Sequence, residues 1–198
     1  MHRIHLGSLV AFLLSYGVPA AIPPVQAIPG QPTNQVAAWM RSNPTLRPLP
    51  GEKLTIRRNN TPSQRLVFEA SLFAPGRIVR SNTGGKVRSE TLQLFDMLYG
   101  VTQARLEESL RAIYGLEIAQ DYANASLVYR YPSPRTEAEA QQNKQPIAAA
   151  LTGELRRGNR FAYWVEVARN PQGLNYAGKI VVFLNEDLAK VETEIRNR

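Results

Sequence analysis

An α+β fold, an antiparallel sheet of hairpins with helices packed on it, is predicted by three features of the sequence. The C-terminal third reads as three alternating strands joined by short turns, a three-strand meander. Two further alternating segments, Lys53 to Arg58 and Arg65 to Leu72, read as a hairpin. Capped helical segments fall between these at irregular intervals, unlike the regular strand–helix alternation of a parallel sheet.

The N-terminal segment comes first and is of a different kind. Arg3 marks a short basic region, Ile4 to Val18 is an apolar run, and Val25-Gln26-Ala27 offers small residues for cleavage after Ala27, with Ala21 as an alternative cut. Residues 1–27 therefore read as a secretory signal peptide. The run is shorter than the ~20 apolar residues that span a bilayer, and Pro19, Pro23 and Pro24 stop its extension. Residues 28–50 follow as a proline-rich leader, flexible from Ile28 to Gln35, with a short helix over Gln35 to Arg41 that sets Trp39 against the body. Residues 51–198 make a single α+β domain.

Within that domain the first hairpin turns at Asn59 to Gln64. Leu54, Ile56, Leu66, Phe68, Ala70 and Leu72 point inward, and Arg57 is expected opposite Arg65, with Lys53 opposite Glu69. Lys86 to Phe95 is a third strand. Thr102 caps the next helix, Gly115 ends it, and Leu106, Leu110 and Ile113 form its buried stripe, with Glu107 and Arg111 paired outside. Strands are expected at Glu117 to Tyr122 and Leu127 to Tyr131, then a polar helix over Arg135 to Lys144. The meander comprises Leu151 to Arg157, Arg160 to Arg169 and Leu174 to Leu184. Phe161, Tyr163, Val165 and Val167 share a core face with Ile180, Val182 and Leu184, while Leu155, Trp164, Val181 and Phe183 face the other way. Asn185 is expected to cap a last helix whose stripe is Leu188, Val191 and Ile195.

Composition removes many chemistries. There is no cysteine, and the two histidines, His2 and His5, fall in the signal segment. The exported chain has no imidazole and no thiol, which excludes Ser-His-Asp and Cys-His catalysis, thiol redox chemistry and most transition-metal or haem sites. No cofactor and no metal is expected. Removing Arg3 leaves 23 basic residues against 16 acidic ones, a net charge near +7. That charge suits an anionic polymer or an acidic envelope protein as partner. Export argues against nucleic acid, and after cleavage a monomer with no membrane span is expected.

Carboxylates are the main acid/base groups left. Glu90, Asp96, Glu117, Asp121 and Glu166 lie in or beside core elements, where burial can raise a pKa, but no signature surrounds them and none is assigned a catalytic role. Gly84-Gly85-Lys86 lacks the spacing of a phosphate loop. The sharper group is aromatic and basic. Trp164 is expected opposite Lys179, with Gly153 on its other side, and Arg156, Arg157 and Arg160 gather at the adjoining turn. Aromatics beside arginines suit acidic sugars through stacking and bidentate contacts. The competing reading is a structural Trp164 beneath a helix, with Lys179 or Glu166 reaching to the sheet edge.

The stretches Trp39-Met40-Arg41-Ser42-Asn43-Pro44, Leu106 to Gly115 and Gly153 to Trp164 resemble an uncharacterised family of exported cyanobacterial proteins. The resemblance implies a compartment (periplasm, extracellular space or thylakoid lumen) and brings no activity or site residues with it. The expected function is an exported, non-enzymatic binding or scaffolding module of the cell envelope. A carboxylate-dependent glycan hydrolase or lyase, or a structural subunit of an envelope or photosynthetic assembly, are the alternatives.

Overall fold

The computed structural model describes residues 29–78, 84–143 and 150–197; the signal segment lies outside them. The elements run α1 (Thr33–Ser42), β1 (Thr55–Thr61), β2 (Gln64–Ser71), β3 (Ser89–Asp96), α2 (Gln103–Tyr114), α3 (Leu116–Ala123), β4 (Ser126–Tyr131), α4 (Pro134–Gln142), β5 (Leu151–Arg157), β6 (Phe161–Arg169), β7 (Asn175–Leu184) and α5 (Leu188–Arg196). All seven strands form one antiparallel sheet in the order β1-β2-β3-β7-β6-β5-β4. The α+β class and the meander are as the sequence predicts. The last strand of the chain, β7, slots between β3 and β6, so the C-terminal meander and the N-terminal hairpin share one sheet.

Two apolar clusters sandwich the sheet. On the front face Ile56, Phe68, Leu92, Tyr163, Ile180 and Val182 meet the stripes of α1, α2 and α3. On the back Leu155, Ala162, Trp164, Val181 and Phe183 lie under Leu188, Val191 and Ile195 of α5. Both faces have the composition read from the sequence, because alternation in β6 and β7 places apolar residues on each side. At Gly178 an added Cβ would lie 2.8 Å from Val101 and 3.0 Å from Leu106, so α2 approaches β7 closely only because that side chain is absent.

Several local expectations are corrected. The leader is not free of the body: the amides of Gly30 and Thr33 donate to Val87 and Gly85. Val36, Met40 and Leu46 are fully buried in the front core. Apolar residues in a proline-rich stretch were enough to seat it. Trp39 stacks on Tyr114 at 5.7 Å, as a body contact of that helix requires. Glu117 to Tyr122 is not a strand but lies in α3; Ile118 and Tyr122, four apart, form its buried side, and Gly115 at φ 81° redirects the chain after α2. Glu107 does not pair with Arg111, which takes Glu108 at 2.8 Å.

Register also differs by two residues in both places where cross-strand neighbours were inferred. In the first hairpin Arg57 faces Val67, Asn59 faces Arg65 and Thr55 faces Glu69, since the turn closes tightly at Pro62-Ser63 rather than over Asn59 to Gln64. Between β6 and β7 Trp164 faces Val181, and Lys179 faces Glu166, because the loop runs one residue further than expected, through Leu174, and the register shifts by one more at Ala168/Arg169. Gly153 lies opposite Glu166, not Trp164. Asn185 provides no side-chain cap; a short 3-10 turn, Asn185–Asp187, precedes α5, and the Asn185 side chain donates to the Gly158 carbonyl instead.

Candidate functional site

The five residues singled out for anion or glycan contact divide between the two faces of the sheet. Trp164, with 3% of its surface exposed, lies beneath α5. Its indole N–H donates to the Tyr131 hydroxyl at 2.7 Å, and that hydroxyl in turn donates to Glu166 at 2.5 Å. Lys179 completes the group: its ammonium is 2.9 Å from Glu166 and 3.7 Å from the Trp164 ring centroid. Lys179 and Trp164 are therefore neighbours, but diagonally rather than directly opposite. The indole is held by packing on one side and a cation on the other, the arrangement of a structural aromatic. Its edge borders a cavity of about 570 Å³ whose walls include Arg77, Glu194 and Asn197.

Arg156 points to the other face. Its Nε donates to Glu154 at 2.6 Å and its guanidinium lies 5.3 Å from the Tyr122 ring centroid. Glu154 is buried and also accepts from Arg130 at 3.1 Å and Gln103 at 3.0 Å. Burial alone would raise the Glu154 pKa; Arg156 and Arg130 outweigh it and hold the carboxyl below its ordinary value. Gln103 and the Tyr122 hydroxyl also donate to Glu107, each at 3.0 Å. This network, joining β4, β5, α2 and α3, was missed in the sequence because it is closed by contacts between distant segments, Gln103 to Glu154 across 51 residues and Arg130 to Glu154 across 24. The single local cue was the alternation that sets Glu154 and Arg156 on the same side of β5.

Arg157 and Arg160 remain at the surface of the β5–β6 turn. Arg160 pairs with the exposed Glu117 at 2.9 Å. Arg157 is exposed, and no carboxylate among the described residues lies within ion-pairing distance of its guanidinium. Beneath them the turn is fixed by Asp121, whose carboxylate accepts the amides of Asn159 at 2.9 Å and Arg160 at 3.1 Å and the Tyr163 hydroxyl at 2.7 Å. Gly158 has to be glycine here, since a Cβ would lie 2.3 Å from Asp121.

The remaining candidate carboxylates also have structural partners. Asp96 is fully buried and accepts the amides of Leu98 and Tyr99 at 3.0 and 2.9 Å, with Arg105 at 2.7 Å and Gln64 at 3.0 Å. Burial opposes ionisation, yet the Tyr99 amide, Arg105, the Leu98 amide and Gln64 together hold this carboxyl well below the carboxylate range. Glu90 is the opposite case. It is wholly enclosed in the front core, accepts only the Tyr114 hydroxyl at 2.6 Å, and leaves Oε1 without a partner. Burial pushes its pKa up to about 8, and burial likewise raises that of Tyr114 well above its ordinary value. Among the described residues no group of three or more histidine, cysteine or acidic side chains is arranged to hold a metal ion, and no helix is long and apolar enough to cross a membrane.

Comparison with protein-family models, curated proteins and solved structures returns no match.

Proposed function

We propose that this chain is an exported, non-enzymatic binding module of the cell envelope that recognises an anionic partner, an acidic polymer or an acidic envelope protein, through the β5–β6 turn. The observation that carries the reading is the exposed Arg157 beside Arg160, on a turn fixed in place by Asp121. A fixed turn presents its guanidinium groups with little ordering cost on binding. The exposed Arg160–Glu117 pair is weak and exchanges readily for a ligand carboxylate or sulfate, which Arg can grip bidentately. Export is supported by the signal-like segment, with periplasm, extracellular space and thylakoid lumen all compatible. The structural engagement of Asp96, Asp121, Glu154 and Glu166 disfavours a carboxylate-dependent hydrolase or lyase.

The test is retention of the chain lacking residues 1–27 on an immobilised sulfated or uronic-acid polysaccharide, across a salt gradient. Retention should fall with salt and drop in the double variant Arg157→Ser, Arg160→Ser while thermal stability is maintained. Arg156 is left out of that pair because it belongs to the Glu154 network. Passage of the wild-type chain through the column at low salt refutes the reading.

A further inference from the structure

The connection between β3 and α2 exposes Met97, Leu98 and Tyr99 in succession, with 45%, 61% and 79% of their surfaces open to solvent. Three consecutive exposed apolar side chains are uncommon on a soluble protein and usually mark a contact surface. Here the backbone that carries them is tied down at both ends. On one side Asp96, buried and held by Arg105 and Gln64, accepts the amides of Leu98 and Tyr99. The amide of Met97 donates to the Ser63 carbonyl of the β1–β2 turn at 3.0 Å. On the other side Gly100, at φ 76°, is pressed so close to the β6–β7 connection that a Cβ would lie 2.9 Å from Leu174 and 3.1 Å from the Asn175 carbonyl. The next amide, Val101, donates to that carbonyl at 2.6 Å. The sequence thus builds a rigid tip whose apolar side chains have no core to enter.

The surroundings are basic. The three segments that meet at this end of the sheet, 61–65, 95–105 and 169–175, contain Arg65, Arg105 and Arg169 and a single carboxylate, Asp96, which is fully buried. All three arginines are exposed. Arg65 lies over the Phe95 ring at 5.1 Å and Arg169 donates to the Asn175 side chain at 3.1 Å; neither has a carboxylate partner among the described residues.

The geometry points to docking of this tip on an anionic lipid bilayer, with Met97, Leu98 and Tyr99 inserted among the headgroups and Arg65 and Arg169 on the lipid phosphates. A lipid surface fits better than a protein. A stable protein contact needs roughly 800 Å² from each partner, whereas a single tight turn offers a small convex knob. A knob of Leu and Met with a tyrosine suits the interfacial zone, where aromatic residues settle with their polar ends in water. Basic residues just behind it add electrostatic attraction to an anionic leaflet. The tip stands at the end of the sheet away from the β5–β6 arginine turn, so the two surfaces are tested separately.

Phosphatidylcholine vesicles with and without phosphatidylglycerol are the probe, with the chain lacking residues 1–27. The chain contains no cysteine, so Tyr99→Cys accepts an environment-sensitive dye at the tip itself. The dye should shift to the blue on phosphatidylglycerol vesicles, less at high salt and little on phosphatidylcholine alone. Leu98→Asp should weaken vesicle binding about tenfold or more, and Arg65→Ser and Arg169→Ser about fivefold each, all without loss of polysaccharide retention. Absence of binding to phosphatidylglycerol vesicles, or binding that Leu98→Asp leaves intact, overturns the proposal. So does a protein from envelope extracts that the tip captures when vesicles do not bind, since the surface then belongs to a protein interface. Loss of polysaccharide retention in the double arginine-turn variant, with vesicle binding unchanged, supports two independent surfaces.

Discussion

Glu90→Gln should remove a pH dependence of stability that the front core imposes. The Glu90 carboxyl is fully enclosed, has one hydrogen-bond partner, and keeps its proton to about pH 8 in the folded chain, against an ordinary value of 4.5. Between those values the unfolded chain has released the proton and the folded chain has not. Folding therefore takes up a proton, and stability falls as pH rises through this window, by about 1.4 kcal/mol per pH unit. From about pH 5 to about pH 7.5 the loss amounts to about 3 kcal/mol. Glutamine keeps the Tyr114 contact and does not titrate. It buries amide protons without partners, which costs roughly 1–3 kcal/mol at every pH. The readout is thus the change in the difference between wild type and variant, measured by urea denaturation across that range. The variant should be the less stable at the acidic end and should gain on the wild type by about 3 kcal/mol toward the alkaline end. Parallel stability curves would refute the reasoning and place a water or a conformational opening beside Glu90.

Other perturbations test the remaining parts of the structure. Trp164→Ala should cost roughly 3–5 kcal/mol in thermal denaturation, because the indole packs under α5 and its N–H is used by Tyr131; a cost under about 1 kcal/mol with lost ligand affinity would favour a stacking platform instead. Gly178→Ala should lower the melting temperature, since Val101, Leu106 and Val167 crowd the new methyl; an unchanged melt would mean that α2 shifts freely. Asp96→Asn should destabilise by roughly 1–3 kcal/mol at neutral pH, where the ionised form holds two amides and Arg105. Since Asp96 is held below its ordinary value, that contribution is present above the unfolded pKa and is lost as pH falls through the folded one. The gap between variant and wild type should therefore close in acid, and a constant gap would contradict it.

The class of fold was legible because it depends on local patterns. Alternation in β5, β6 and β7, the Thr102 cap that accepts the Arg105 amide, and the stripes of α2 and α5 are all set by residues within one element. Both faces of the meander were readable for the same reason. By itself the sequence also removed thiol chemistry from these 198 residues, since none of them is cysteine.

What only the tertiary structure decided is how those elements meet. Hydrophobic alternation repeats every two residues, so it is indifferent to a slide of two; turn closure at Pro62-Ser63 undid the inferred Arg57–Arg65 and Lys53–Glu69 pairs, and the β6–β7 loop with the shift at Ala168/Arg169 set Lys179 opposite Glu166 instead of Trp164. The insertion of β7 between β3 and β6 is a pairing across many residues that no local signal encodes. The same long-range closure took Arg156 into the Glu154 network, buried Trp164 under α5 and left Arg157 exposed. It also surrounded Asp96 with donors while Glu90 received one, so two carboxylates at opposite ends of β3 were driven to opposite protonation behaviour. Side-chain identity is local, but desolvation and hydrogen bonding are set by whatever the fold brings alongside.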